Sequence, residues 1–191
     1  QRIGYVPTIP APPSGGRPMS RDHDHHPLAV ARAVDETADA RSFVLDVPPA
    51  LSDSFAYRAG QFCTFRAVIG GEPVVRCYSM SSSPDAGEPL TVTVKRVPGG
   101  VMSTWMNDSV RPGDTLDVLP PAGLFVLRAS DAPLVAFAGG SGITPILSIV
   151  KSALLTTRRD VRLVYANRDR GGVIFADALA ALGARFGGRL T

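Results

Sequence analysis

The stretch LVAFAGGSGITPILSIVKSALL, residues 134–155, decides the fold. Its opening, Leu134–Ala138, is entirely apolar and too short for a helix, which reads as a strand covered on both faces. Gly139-Gly140-Ser141-Gly142 interrupts it. From Thr144 to Leu155 the apolar residues return at helical spacing through Ile146, Leu147, Val150 and Leu154. Thr144 is predicted as the N-cap of this helix and Pro145 as its first residue. Val161–Ala166 gives a second strand, with Val161, Leu163 and Tyr165 on one parity, and Phe175–Leu182 a second helix. Strand, helix, strand, helix is the start of a parallel α/β sheet.

Upstream the pattern changes. Strands are predicted at Leu28–Val34, Phe43–Val47, Gln61–Ile69, Val74–Met80, Leu90–Val97, Thr115–Leu119 and Leu124–Leu127, with one helix at Val101–Asp108. Leu90, Val92 and Val94 fall on one parity, and Thr91, Thr93 and Lys95 on the other. Short strands divided by Gly and Pro predict an antiparallel Greek-key barrel. The expected fold class is therefore β plus α/β: a barrel at 27–128, then the start of a parallel domain at 133–191. Residues 1–26, rich in Pro, Gly and Ser, read as a flexible tail. His23, His25 and His26 are assigned to that tail, and no metal site is predicted.

Composition bounds the rest. The 191 residues are 45% hydrophobic and 7% aromatic, with 19 glycines and 17 prolines. That suits short strands and tight corners. The net charge of +3 comes from scattered basic residues, without the basic, aromatic-laced stripe of a nucleic-acid site. No apolar run approaches the ~20 residues that span a bilayer. Cys63 and Cys77 are too few for a disulfide framework or a four-cysteine cluster. A cytoplasmic setting is expected.

Three constellations carry chemistry. Arg76-Cys77-Tyr78-Ser79 ends a strand, so Arg76 and Tyr78 share a face. A guanidinium fork suits phosphate oxygens, and a tyrosine offers a stacking surface. An ordinary strand with an exposed Arg fits the same residues. Val94-Lys95-Arg96-Val97-Pro98-Gly99-Gly100-Val101-Met102-Ser103 runs from strand through paired glycines into a helix, whose first amides favour an anion. A tight turn with a Ser-capped helix fits equally. Gly139–Pro145 lies where an α/β sheet binds nucleotides. A ligand-free glycine loop remains open there, because Pro145 stands where a third glycine of the usual fingerprint is expected.

Taken in order, RCYSMSSSP (76–84), VKRVPGGVMSTWMND (94–108), GGSGITP (139–145) and YANRD (165–169) resemble the ferredoxin–NAD(P)H reductase family. The likeness runs from Pro27 onward and is strongest to reductase components of bacterial oxygenases, of the ketosteroid 9α-hydroxylase and phenylacetyl-CoA epoxidase kinds. It implies FAD in the barrel, with Arg76 on its phosphates, Tyr78 on the isoalloxazine ring and Ser79 near N5. It implies Val94 and Lys95 along the ribityl chain, and Gly100, Met102 and Ser103 around the pyrophosphate. It implies NADH, less readily NADPH, with Gly140, Gly142, Thr144 and Pro145 at the nicotinamide end and Asn167 and Arg168 at the adenosine half. Tyr78, Ser79 and Thr144 would then flank the hydride path from nicotinamide C4 to flavin N5.

The implied function is a reductase passing electrons from NADH through FAD to an iron–sulfur centre or ferredoxin that serves an oxygenase, acting on steroid or aromatic compounds. The resemblance also implies further nucleotide-domain strands, a Cys-Gly pair and, in the nearest subgroup, a 2Fe-2S domain with four cysteines. None of these is in the 191 residues, so a fragment or truncated copy is expected. Two other readings stand beside the enzyme: a non-catalytic flavin-binding module with an incomplete nucleotide site, and a barrel-type interaction domain without cofactor.

Overall fold

The computed structural model describes residues 24–191. Strands β1 (His26–Thr37), β2 (Ala40–Asp46), β3 (Phe62–Ile69), β4 (Glu72–Ser79), β5 (Thr91–Lys95) and β6 (Thr115–Ala122) form a 6-stranded sheet in the order β4-β3-β6-β1-β2-β5. Every pairing is antiparallel. The sheet curls until its two edges meet: Met80, one residue past β4, bridges Val92 of β5. The β3–β4 hairpin turns on Gly70 and Gly71, with φ of 62° and 88°. Two successive positive φ values match the twist of the flanking strands, and only glycine adopts them without cost.

The inward parity of these strands builds one core, which includes Leu28, Val30, Phe43, Leu45, Phe65, Val92, Val94 and Val118. Helix α1 (Val101–Ser109) joins that core through Met102 and Met106, an i, i+4 pair that is fully buried. A second core lies on one face of the parallel pair β7 (Leu134–Gly139) and β8 (Val161–Ala166). Helix α2 (Ile143–Thr156) links these strands and α3 (Ala176–Arg185) follows them. Leu190 makes a parallel bridge to Val161, so a third strand position begins at the end of the chain. One face of the pair, including Ala136 and Val161, packs on the helices. The other exposes Val135 (53%), Phe137 (71%) and Val164 (54%).

Several expectations need correction. Leu124–Leu127 forms no strand. The chain turns at Gly123 (φ 115°), where a Cβ would stand 3.1 Å from the Phe62 ring. Beyond it Leu124 and Phe125 are exposed while Leu127 packs on the second core, so the alternation reflects two destinations rather than a ladder. Thr144 is not an N-cap. The turn Gly140–Gly142 is already 3₁₀-helical and α2 starts at Ile143, so Thr144 and Pro145 lie inside its first turn. The Thr144 hydroxyl donates instead to the Ser141 carbonyl at 3.1 Å. No side chain caps α1, whose N-cap is Gly100. Phe175 precedes α3 as a left-handed N-cap (φ 65°). His26, assigned to the tail, is the first residue of β1 and meets the Phe55 ring edge-on. The tail through His23 lies outside the described residues.

Candidate cofactor site

A cavity of about 530 Å³ opens between the barrel and the start of α2. The end of β4 supplies Arg76, Cys77, Tyr78 and Ser79, and β5 supplies Thr93 and Lys95. The loop and first turn of α1, Val97 to Ser103, form one wall, and Ser141 and Thr144 come from the α/β half. Both halves therefore build it.

Each element is held from behind. Tyr78 packs edge-on against Phe65, with ring centroids 5.6 Å apart. Burial pushes its hydroxyl up to about 12, against the opposing charge of Arg76. Arg76 is exposed, its Nη1 donating to the Val75 carbonyl at 2.7 Å. Lys95 Nζ lies 3.5 Å from the Asp39 carboxylate. The Thr93 hydroxyl belongs to a buried chain: it bonds Ser81 Oγ at 2.8 Å and Ser42 Oγ at 2.7 Å, and Ser42 donates to Glu36 at 2.6 Å. Asn107 Nδ2 donates to the Val94 and Ser103 carbonyls, fastening α1 to β5.

The glycines at the start of α1 have a local cause. Gly99 adopts φ 72°, and a Cβ on Gly100 would collide with Ser103 Oγ and press on Val97. Ser103 Oγ accepts from the Val97 amide at 3.1 Å and donates to the Gly100 carbonyl at 3.2 Å. That closure leaves the first turn of α1 uncapped beside the cavity, with Arg76 and Lys95 on its other walls. An uncapped helix start with two cations is a donor set for a diphosphate, and Tyr78 is a stacking surface next to it. The residues present fit a flavin dinucleotide.

Arg76, Tyr78, Ser79, Lys95, Gly100, Met102, Ser103 and Thr144 thus line one cavity. Val94 does not: its side chain is fully buried in the barrel core. Gly140, Gly142 and Pro145 stand beside it on the turn into α2. A Cβ on Gly139, Gly140 or Gly142 would meet nothing within 4 Å, so the turn is open on its outer side. Tyr165, at the end of β8, donates to the Gly140 carbonyl at 3.0 Å. Asn167 and Arg168 follow it, away from the cavity lining.

Sequence reasoning missed the contact that joins the halves. Ser148 Oγ donates to the Ser82 carbonyl at 2.6 Å, and Ser152 Oγ bonds Ser83 Oγ at 2.8 Å. Lys151 Nζ reaches both oxygens of Glu88, at 2.8 and 2.9 Å, and Glu88 also accepts from the Ser83 amide. The signal was present as Ser148 and Ser152, spaced i, i+4 among the apolar residues of α2.

Comparison with known proteins agrees with this layout. Residues 27–127 match the oxidoreductase FAD-binding domain, and residues 137–191 the oxidoreductase NAD-binding domain. The chain is 50% identical over 165 residues to the ferredoxin reductase component of 3-ketosteroid-9-alpha-monooxygenase from Rhodococcus rhodochrous, covering 86% of this chain and 47% of that protein. It is 37% identical over 169 residues to one of the 1,2-phenylacetyl-CoA epoxidase subunits of Escherichia coli, covering 86% and 47%. The FAD/NAD-binding domain of nitric oxide dioxygenase from Vibrio cholerae superposes with a TM-score of 0.77 at 28% identity, covering 86% of this chain and 71% of that one. The chain thus spans about half the length of the curated relatives it matches. It belongs to the ferredoxin reductase family of oxidoreductases, with matches to that family's FAD-binding and NAD-binding domains.

Proposed function

We propose that this chain is the flavin-holding part of a reductase component that takes electrons from NADH and delivers them to an iron–sulfur centre or ferredoxin serving an oxygenase. The observation that carries the reading is the shared cavity: phosphate-type donors on the barrel side, and Ser141 and Thr144 from the glycine turn of the α/β side. Arg76, Lys95 and the uncapped first turn of α1 hold the diphosphate. Tyr78 covers a ring face, with Phe65 preventing it from swinging away. Ser79 lines the cavity from the barrel and Thr144 from the α/β half, and the two orient what lies there. FAD, when bound, converts a two-electron donor into single-electron steps, while the protein supplies position and electrostatics.

Gly140, Gly142 and Pro145 shape the nucleotide turn in this reading, and Asn167 and Arg168 face the adenosine half. NADH is preferred over NADPH, as in the oxygenase reductases the sequence resembles. The substrate class of the oxygenase is steroid or aromatic, by analogy with the relatives. No helix among the described residues is long and apolar enough to cross a membrane. We assign the protein to the cytoplasm, supported by the free thiols of Cys63 and Cys77.

The test is direct. Purified protein is expected to be yellow and to release FAD, not FMN, on denaturation. Anaerobic stopped-flow mixing with NADH should bleach a chain extended past Thr191 faster than the 191-residue chain, and NADH should exceed NADPH in kcat/KM. A colourless protein overturns the reading. A second reading is a flavin-binding module without catalysis. Flavin retention with no bleaching in either chain would select it.

A further inference from the structure

Helix α2 alone carries both a wall of the cavity and the contact that docks the α/β half on the barrel. Its first turn holds Thr144, buried at the cavity, and its next two turns hold Ser148, Lys151 and Ser152. These bond a single barrel segment, residues 82–88, which begins just after the Tyr78–Ser79 wall. Ser83, Ser148 and Ser152 are at most 1% exposed, so their hydrogen bonds form without water.

The barrel side of the contact is tied down in turn. Ser82 Oγ bonds Tyr57 Oη at 2.7 Å and accepts from the Thr91 amide at 2.9 Å. Ser81 bonds Thr93, which itself lines the cavity. Apolar contacts let a helix slide or roll by small amounts at little cost. Buried hydrogen bonds do not, because an unmet donor or acceptor in a dry contact is expensive. A helix turn is rigid, so fixing Ser148 fixes Thr144 one turn away.

We propose that Ser148, Ser152 and the Lys151–Glu88 pair are positioning residues: a buried polar clasp that sets where Thr144 and Ser141 stand at the cavity they line together with Ser79. None of the clasp side chains lines the cavity. The clasp acts through α2, and its consequence for turnover rests on the cavity being the flavin site.

Two arms test it. In the first, nitroxides are placed at Val68→Cys on the barrel and Arg158→Cys beyond α2, in a Cys77→Ser background. Pulsed EPR of the 191-residue chain, which needs no cofactor, is expected to give one narrow distance distribution. Ser148→Ala/Ser152→Ala should broaden it, as should the milder Lys151→Met, with Lys151→Arg restoring the narrow form. In the second arm, flavin retention and NADH-driven flavin reduction are measured in a chain extended past Thr191. Retention should hold within about twofold, while the rate constant falls at least tenfold with less change in KM, and Lys151→Arg should recover most of it.

A distribution unchanged in both Lys151→Met and the serine pair overturns the clasp. So does a broadened distribution with an unchanged reduction rate, since positioning would then be irrelevant to the cavity. Failure of the parent to bind flavin would instead overturn the cofactor reading, and the distance arm would still decide whether the clasp sets domain geometry.

Discussion

The two halves of this molecule solve the same problem unequally. The barrel brings its edge strands together through Met80 and Val92 and plugs its interior with Met102 and Met106. The α/β half covers one face of a two-stranded sheet and leaves Val135, Phe137 and Val164 in the open. A closed sheet owes nothing to further chain, whereas a parallel pair with an uncovered apolar face is a surface made to be buried. The cavity is built mainly on the closed half, and only Ser141 and Thr144 reach it from the other.

The largest effect expected from that contrast is in stability. Phe43→Ala, in the barrel core, should cost about 3–5 kcal/mol. Phe137→Ala, on the open face, should stay within about 0.5 kcal/mol. Urea unfolding measures both, and comparable losses would mean that the open face is covered in solution. Charge substitution at Phe137 should also lower any self-association seen by light scattering.

Next in size is the phosphate contact. Arg76→Ala should weaken flavin retention by about 1.5–3 kcal/mol, roughly 10- to 150-fold in Kd. Arg168→Ala, on the α/β side, should leave retention unchanged. Equilibrium dialysis separates them, and a parent-like Kd for Arg76→Ala would move the phosphates elsewhere.

The most diffuse effect is alkaline. Burial raises the Cys63 thiol from 9.0 to about 12, and the Tyr57 and Tyr78 hydroxyls from 10.0 to about 12. Groups with raised folded pKa values contribute stability that is fully present below their unfolded values and lost as pH climbs through the folded ones. The urea midpoint should therefore fall progressively between pH 9 and 12, through groups that all sit in the barrel. A flat midpoint across that window would show that these groups are not buried as described.

How much of this was legible in the sequence varied with the range of the contact. Strand parity placed Arg76 and Tyr78 on one face, and both line the cavity. The same parity put Val94 with Leu90 and Val92, and the core took it. Helix α2 was readable from its apolar period, but its first residue was not. The 3₁₀ turn at Gly140–Gly142 lets the helix begin before Thr144, and no residue pattern announces that. Leu124–Leu127 imitated a strand because neighbouring residues pack in different directions. The Ser148–Ser82 and Ser152–Ser83 bonds join segments far apart in sequence, and local pattern holds no record of which serine meets which.

The pairing of His26 with Val118 carries a consequence for how the chain is made. The first strand of the barrel waits, during synthesis, for almost the whole domain to leave the ribosome before its β6 partner exists. Until then it has only the β2 hairpin to pair with, and such long-range closures are slow. The parallel half adds its helices afterwards by short-range steps. The order of emergence therefore favours a finished barrel onto which α2 docks, rather than two halves that fold as equals.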